Sequence, residues 1–133
     1  MALVTLAEVK RDAEVEALIT RGNEHLETMG FAEYSHRHLN LVASISRNVL
    51  ERLGFPQRVA ELAAIAGYLH DIGNVVSRQD HGQSGALLAY HILTRLGMPA
   101  DEEAIIMVAC GNHDEERDEA WLERFSSRGI QNN

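Results

Sequence analysis

The sequence predicts an all-α fold, a compact bundle of about five or six helices, and three observations predict it. Apolar residues recur every three or four positions over long stretches, β-branched residues seldom run together, and only two prolines interrupt the chain. A 3.6-residue period places positions i, i+3, i+4 and i+7 on one helical face, whereas a half-buried strand needs strict alternation. With 133 residues, 45% hydrophobic and 24% charged, the chain is sized for one domain (1–133) with a core that needs no staples. Within it, residues 1–30 read as an N-terminal helix, 31–114 as the core, and 115–133 as a short charged tail.

Thr5-Leu6-Ala7-Glu8 fits a capping box, with Thr5 as N-cap and Glu8 reaching back. The helix it opens carries Val15, Leu18, Ile19 and Leu26 and is expected to run to about Gly30, with Gly22 as a weak point. His25 has no ligand set around it and reads as solvated. Ser35 can cap a second helix over 35–53, whose apolar stripe of Val42, Ile45, Val49 and Leu53 should face the core. His38 lies on that stripe, while His36 falls about 160° away, toward solvent or a rim.

The third helix, about 57–72, presents Val59, Ala63, Ala66 and His70 on one narrow stripe, so His70 continues its buried face. It ends in His70-Asp71, and Gly73-Asn74 can supply a left-handed stop. Residues 75–82 read as a loop holding Arg78, Asp80 and His81. A fourth helix over 84–96 is apolar at Leu87, Leu88, Ile92 and Leu96, includes His91 without a clear partner, and is closed by Gly97. Pro99 and Asp101-Glu102-Glu103 open a fifth, where proline and acids are both favourable, and its stripe extends through Ile106 and Ala109 to His113. Beyond it, Trp121, Leu122 and Phe125 are the bulky apolar residues of the tail and suit one short helix.

Acidic residues outnumber basic ones by 20 to 12, a net charge of −8. That argues against a broad nucleic-acid or anionic-membrane surface, but not against a small phosphate held by a local cation. The single cysteine, Cys110, lies in Ile105-Ile106-Met107-Val108-Ala109-Cys110 and reads as a small buried hydrophobe; internal disulfides are excluded and a reducing compartment suits it. Neither a signal-peptide pattern nor a membrane-length apolar run is expected, so a cytoplasmic location is.

Four stretches then offer histidines where helices meet loops or cores: His38, His70 with Asp71, His81, and His113 with Asp114. Neutral imidazoles and carboxylates are good ligands for divalent metals, and a shared ion would satisfy imidazoles that are costly to bury together. The order and surroundings of these residues resemble the HD superfamily of metal-dependent phosphohydrolases. His38-Leu39-Asn40-Leu41-Val42-Ala43 resembles that family's first-histidine helix, and Ala64-Ile65-Ala66-Gly67-Tyr68-Leu69-His70-Asp71-Ile72-Gly73 resembles its defining segment. His81-Gly82-Gln83-Ser84-Gly85-Ala86 and Asn112-His113-Asp114 are similar to its later histidine segments.

The resemblance implies an all-helical domain that binds one or two divalent ions (Mn, Fe, Ni, Co, Mg or Zn) through His38, His70 and Asp71. His81 and His113 would serve a second ion, with Asp114 as a weaker candidate. It implies hydrolysis of a small phosphate ester, such as a nucleotide or a related phosphomonoester or phosphodiester, with Asp71 and His70 at the chemistry. Arg37 and Arg78 are the basic side chains best placed in sequence to hold phosphate. Two rival readings are a non-catalytic metal- or nucleotide-binding regulatory module and, further off, a di-iron oxygenase; a homodimer is a further expectation. The family pattern ends in another aspartate on a later helix, and here Asp118, in unlike surroundings, is the only aspartate after Asp114. A ligand shell short by one carboxylate is therefore expected, with water or an exogenous anion in the vacancy, or with a carboxylate borrowed from Asp114 or from a partner chain.

Overall fold

The computed structural model describes residues 3–30 and 36–112 of the chain. Among them are six α-helices and no strand: α1 (Leu6–Arg11), α2 (Ala13–Thr28), α3 (His36–Arg52), α4 (Gln57–Leu69), α5 (His81–Leu96) and α6 (Ala100–Gly111). A 3-10 turn, Ile72–Val75, joins α4 to α5. The fold is all-α, as the periodicity predicts. No helix among the described residues is long and apolar enough to cross a membrane.

The first predicted helix is two. Asp12 closes α1 and caps α2, its Oδ2 accepting the Val15 N–H at 3.1 Å, with its own backbone extended. A capping carboxylate offers the backbone a bond that a continuous helix would not need, and the resulting bend lets Val9 and Val15 both be fully buried. The expected cap at Thr5 is present: the Glu8 N–H donates to Thr5 Oγ1 at 3.1 Å, and the Thr5 hydroxyl is 3.5 Å from Glu8 Oε1. Gly22 is not where the helix weakens; α2 continues through it to Thr28.

The central element is α4. From Ala64 to Leu69 every residue is buried, which marks a helix surrounded by protein rather than one facing solvent. Both α3 and α6 pack against it, α5 packs against α6 and the 3-10 turn, and α2 lies against that turn. Arg58 ties the base of the bundle together. Its guanidinium donates to Glu102 on α6 (2.6 and 2.9 Å), to Glu61 (3.1 Å) and to the Val4 carbonyl (2.7 Å). The Glu102 carboxyl is held below its ordinary range by the Arg58 hydrogen bonds.

The stripe expected to bury α3 does not. Ile45, Val49 and Leu53 are 53%, 49% and 68% exposed, and the buried side chains are Leu39 and Ala43. The reason lies on the facing helix. A Cβ at Gly67 would stand 3.1 Å from Ser46 Oγ, 3.2 Å from Val42 Cγ1 and 3.3 Å from Ala43 Cα, so α3 lies close against α4 where α4 carries no side chain. Close approach at Ala43 turns α3 onto the flank of its apolar arc, and the larger side chains point outward. The outer face of α5 departs from expectation similarly: Ile92 is buried but Leu87 is 67% exposed. Gly97 closes α5 in the left-handed conformation (φ 96°), as predicted, and the acids Asp101, Glu102 and Glu103 occupy the first turn of α6.

Candidate metal centre

The site forms where α4 ends. His70 follows the last residue of α4, and Asp71 precedes the 3-10 turn. No left-handed stop occurs at Gly73-Asn74; the chain tightens into the 3-10 turn instead. Gly73 is there for space. A Cβ on it would run into the His81 carbonyl and lie 2.6 Å from the Gly85 backbone nitrogen. Contact between Gly73 and the first turn of α5 thus brings His81 up to Asp71. It also explains the small residues of the His81–Ala86 segment, which is helical from His81 onward rather than from Ser84. The left-handed residue of this stretch is Asp80 (φ 55°), just before α5; aspartate tolerates that conformation better than most residues.

One donor atom from each of His38, His70 and Asp71 lies within 4.8 Å of the others. His70 Nε2 is 2.9 Å from Asp71 Oδ2, His38 Nε2 is 4.0 Å from the same oxygen, and the two imidazole centroids are 5.8 Å apart. On the other side of the carboxylate, His81 Nε2 is 3.3 Å from Oδ1. His70, Asp71 and His81 are buried, while the His38 side chain is 37% exposed, so the group opens to solvent on the α3 side.

The second nitrogen of two of these rings is already committed. His70 Nδ1 is 2.5 Å from the Gly67 carbonyl and His81 Nδ1 is 3.0 Å from the Arg78 carbonyl. A carbonyl only accepts, so each Nδ1 carries the hydrogen, and a neutral ring of that tautomer turns an Nε2 lone pair toward the Asp71 carboxylate. Two electron-rich groups face each other comfortably only with a proton or a cation between them. Imidazoles anchored through Nδ1–H to a carbonyl are also the usual arrangement of metal-binding histidines. On donor chemistry and spacing, the residues present fit a divalent ion.

The remaining candidates are placed as follows. His36 points away, its Nε2 2.9 Å from Glu16 Oε2, in keeping with its rim position. His91, without a clear partner in the sequence, lies 3.3 Å from Glu14 Oε2, and His25 is exposed. Arg37 is exposed beside His38; Arg78 is half-buried, its Nη1 3.4 Å from Asn74 Oδ1. His113, Asp114, Asp118 and the apolar residues of the tail lie outside the described residues, as does Ser35. Cys110 is fully buried under the site, its Sγ 3.9 Å from the Ala66 carbonyl. Burial, with the nearby Asp71 charge, pushes its thiol up to about 12. Asn74 is the site-adjacent residue that sequence reasoning missed as a functional candidate: it is 2% exposed and borders Asp71. Its signal was the spacing of three from Asp71, meaningful once the turn is known to be 3-10.

The HD domain family model matches residues 36–130. The chain belongs to the HD domain family. Comparison with curated proteins and with solved structures returned no match.

Proposed function

We propose that this protein is a metal-dependent phosphohydrolase acting on a small phosphate ester, a nucleotide or a related phosphomonoester or phosphodiester. The observation that carries the reading is the convergence of His38, His70 and Asp71 donor atoms within 4.8 Å, at the residues that resemble the family's motif. A divalent ion held there supplies a Lewis acid for the phosphoryl oxygen and makes hydroxide available from water near neutral pH. The chain's own residues do the orienting. Asp71, flanked by His70 on one oxygen and His81 on the other, directs the attacking water and accepts its proton. The backbone bonds from Gly67 and Arg78 keep both rings in register with that carboxylate. The exposed edge at His38 is the entrance for substrate, with Arg37 and Arg78 as the cations nearest in sequence to hold its phosphate. In a chain of net charge −8, an anionic substrate depends on such local positive charge.

The test is metal analysis of protein purified without chelator, followed by phosphate release from nucleoside monophosphates, diphosphates and cyclic nucleotides with added Mn²⁺, Co²⁺, Ni²⁺ or Mg²⁺. Phosphate release lost in Asp71→Ala, with helical content retained, is the expected result. Tight metal binding without turnover on any substrate would instead favour the regulatory module, iron with a visible absorption band the oxygenase. No metal after purification and soaking would overturn the site.

A further inference from the structure

Between α2, α3 and the 3-10 turn lies a small cavity lined by Leu18, Ile19, Gly22, Asn23, Leu39, Asp71 and Asn74. Four of these contribute aliphatic side chains or none; Asn23, Asp71 and Asn74 contribute polar groups. The space open to a water-sized sphere is ≈ 10 Å³, about one water and far too little for a base or a sugar. That size decides between a substrate pocket and a solvent site.

Asn74 is almost completely buried, and its Nδ2 has no hydrogen-bond partner among the described residues. Its Oδ1 faces Arg78 Nη1 at 3.4 Å, which turns the amide so that Nδ2 lies on the other side. In a 3-10 turn, side chains three apart eclipse one another; the Asn74 N–H bonds the Asp71 carbonyl at 3.0 Å, and both residues line the same cavity. A buried amide N–H left unsatisfied is costly, and a space for one probe sphere with two to four polar partners is what a buried water occupies.

We propose that this cavity binds one structural water, which accepts from Asn74 Nδ2 and donates to the Asp71 carboxylate and to Asn23. Asn74 is thereby a positioning residue: through the water it holds Asp71 at the angle that faces His38 and His70. The part of this inference that concerns metal rests on the proposed function above. Outer partners of this kind typically change metal affinity by 10- to 100-fold when lost.

Two measurements test it. A crystal structure with ordered solvent should show one water within hydrogen-bond distance of Asn74 Nδ2 and an Asp71 oxygen; an Asn74 amide bonded to protein, or a cavity without density, overturns the proposal. Calorimetric titration with Mn²⁺ should find Asn74→Leu weakened roughly tenfold or more. Asn74→Ser, which keeps a donor and leaves room for a second water, should stay within about threefold of wild type. That rescue is not what a merely structural role gives. If Asn74→Leu does not fold, Asn23→Leu removes a partner from the half-exposed wall and should weaken Mn²⁺ binding in the same direction. A folded Asn74→Leu or Asn23→Leu with wild-type Mn²⁺ affinity overturns the positioning role. Should wild type bind no Mn²⁺, the metal reading fails, and the crystallographic water alone then decides whether the cavity is a solvent site.

Discussion

At the scale of single residues, the contrast between two neighbouring histidines is the sharpest check on the site. Asp71→Ala and His38→Ala are expected to lower bound metal at least tenfold, whereas His36→Ala, whose ring meets Glu16 on α2, should leave metal content within about twofold. Equal losses at His36 and His38 would refute the geometry; inductively coupled plasma analysis of the three purified variants decides it. Cys110 gives a pH prediction. Its folded pKa, about 12, lies above the ordinary thiol value, so between about pH 9 and pH 12 the unfolded chain has lost a proton that the folded chain keeps. Stability from this group is complete below the ordinary thiol pKa and falls as pH rises through that window. Urea titrations across it should show a shallower decline in Cys110→Ala than in wild type. Native protein at pH 8 should also resist iodoacetamide that alkylates the denatured chain.

At the scale of elements, the 3-10 turn is the piece the site depends on. Gly73→Ala is expected to cost about 3 kcal/mol or more, because the added methyl must displace backbone at His81 and Gly85 rather than a flexible side chain. The loss should appear in thermal melts and, with it, a weaker metal site, since His81 is pushed off Asp71. Replacement by alanine at Asp12 is milder. It removes the cap of α2 and should cost about 1 kcal/mol, read as a lower urea midpoint with unchanged slope. The Arg95 hydrogen bond keeps the Asp12 carboxyl below its ordinary range. Its contribution is therefore present above the ordinary carboxylate pKa and lost as pH falls through the lowered one. An Asp12→Ala protein whose stability drops as steeply in acid as wild type would count against that link.

At the scale of the whole molecule, α4 is both the centre of the core and the approach to the candidate metal centre. Its buried run from Ala64 to Leu69 delivers His70 and Asp71 straight from the centre of the bundle. The same helix is anchored at its start by Arg58, which reaches α6 and the segment before α1. Both Arg58 and Glu102 are mostly buried side chains (19% and 15% exposed). Glu102→Gln, which leaves the guanidinium with weaker partners, should therefore cost about 2 kcal/mol and lower the melting temperature by several degrees. If a divalent ion occupies the site, EDTA should lower the melting temperature further, since binding to the folded state alone stabilises it by mass action. The shift should vanish in Asp71→Ala. A chelator effect that persists in that variant would place the ion elsewhere.

What the sequence by itself determined is chiefly local. The 3.6-residue period reads out the all-α fold, Thr5 and Gly97 mark helix ends through chemistry confined to one turn, and the His70-Asp71 segment carries its family pattern in consecutive residues. Three things waited on the tertiary structure. Whether Ile45, Val49 and Leu53 or Leu39 and Ala43 meet the core depends on which face of α3 can approach Gly67, and an apolar arc that wide does not choose its own centre. The way α1 is set beyond the Asp12 cap depends on a contact far off in sequence, the Leu6 N–H donating to Glu61 on α4, 55 residues away. The role of Gly73 depends on a helix that packs against it from beyond the next loop. Periodicity states which side chains share a face; only packing against another element decides which face is inside, and therefore which donor atoms meet.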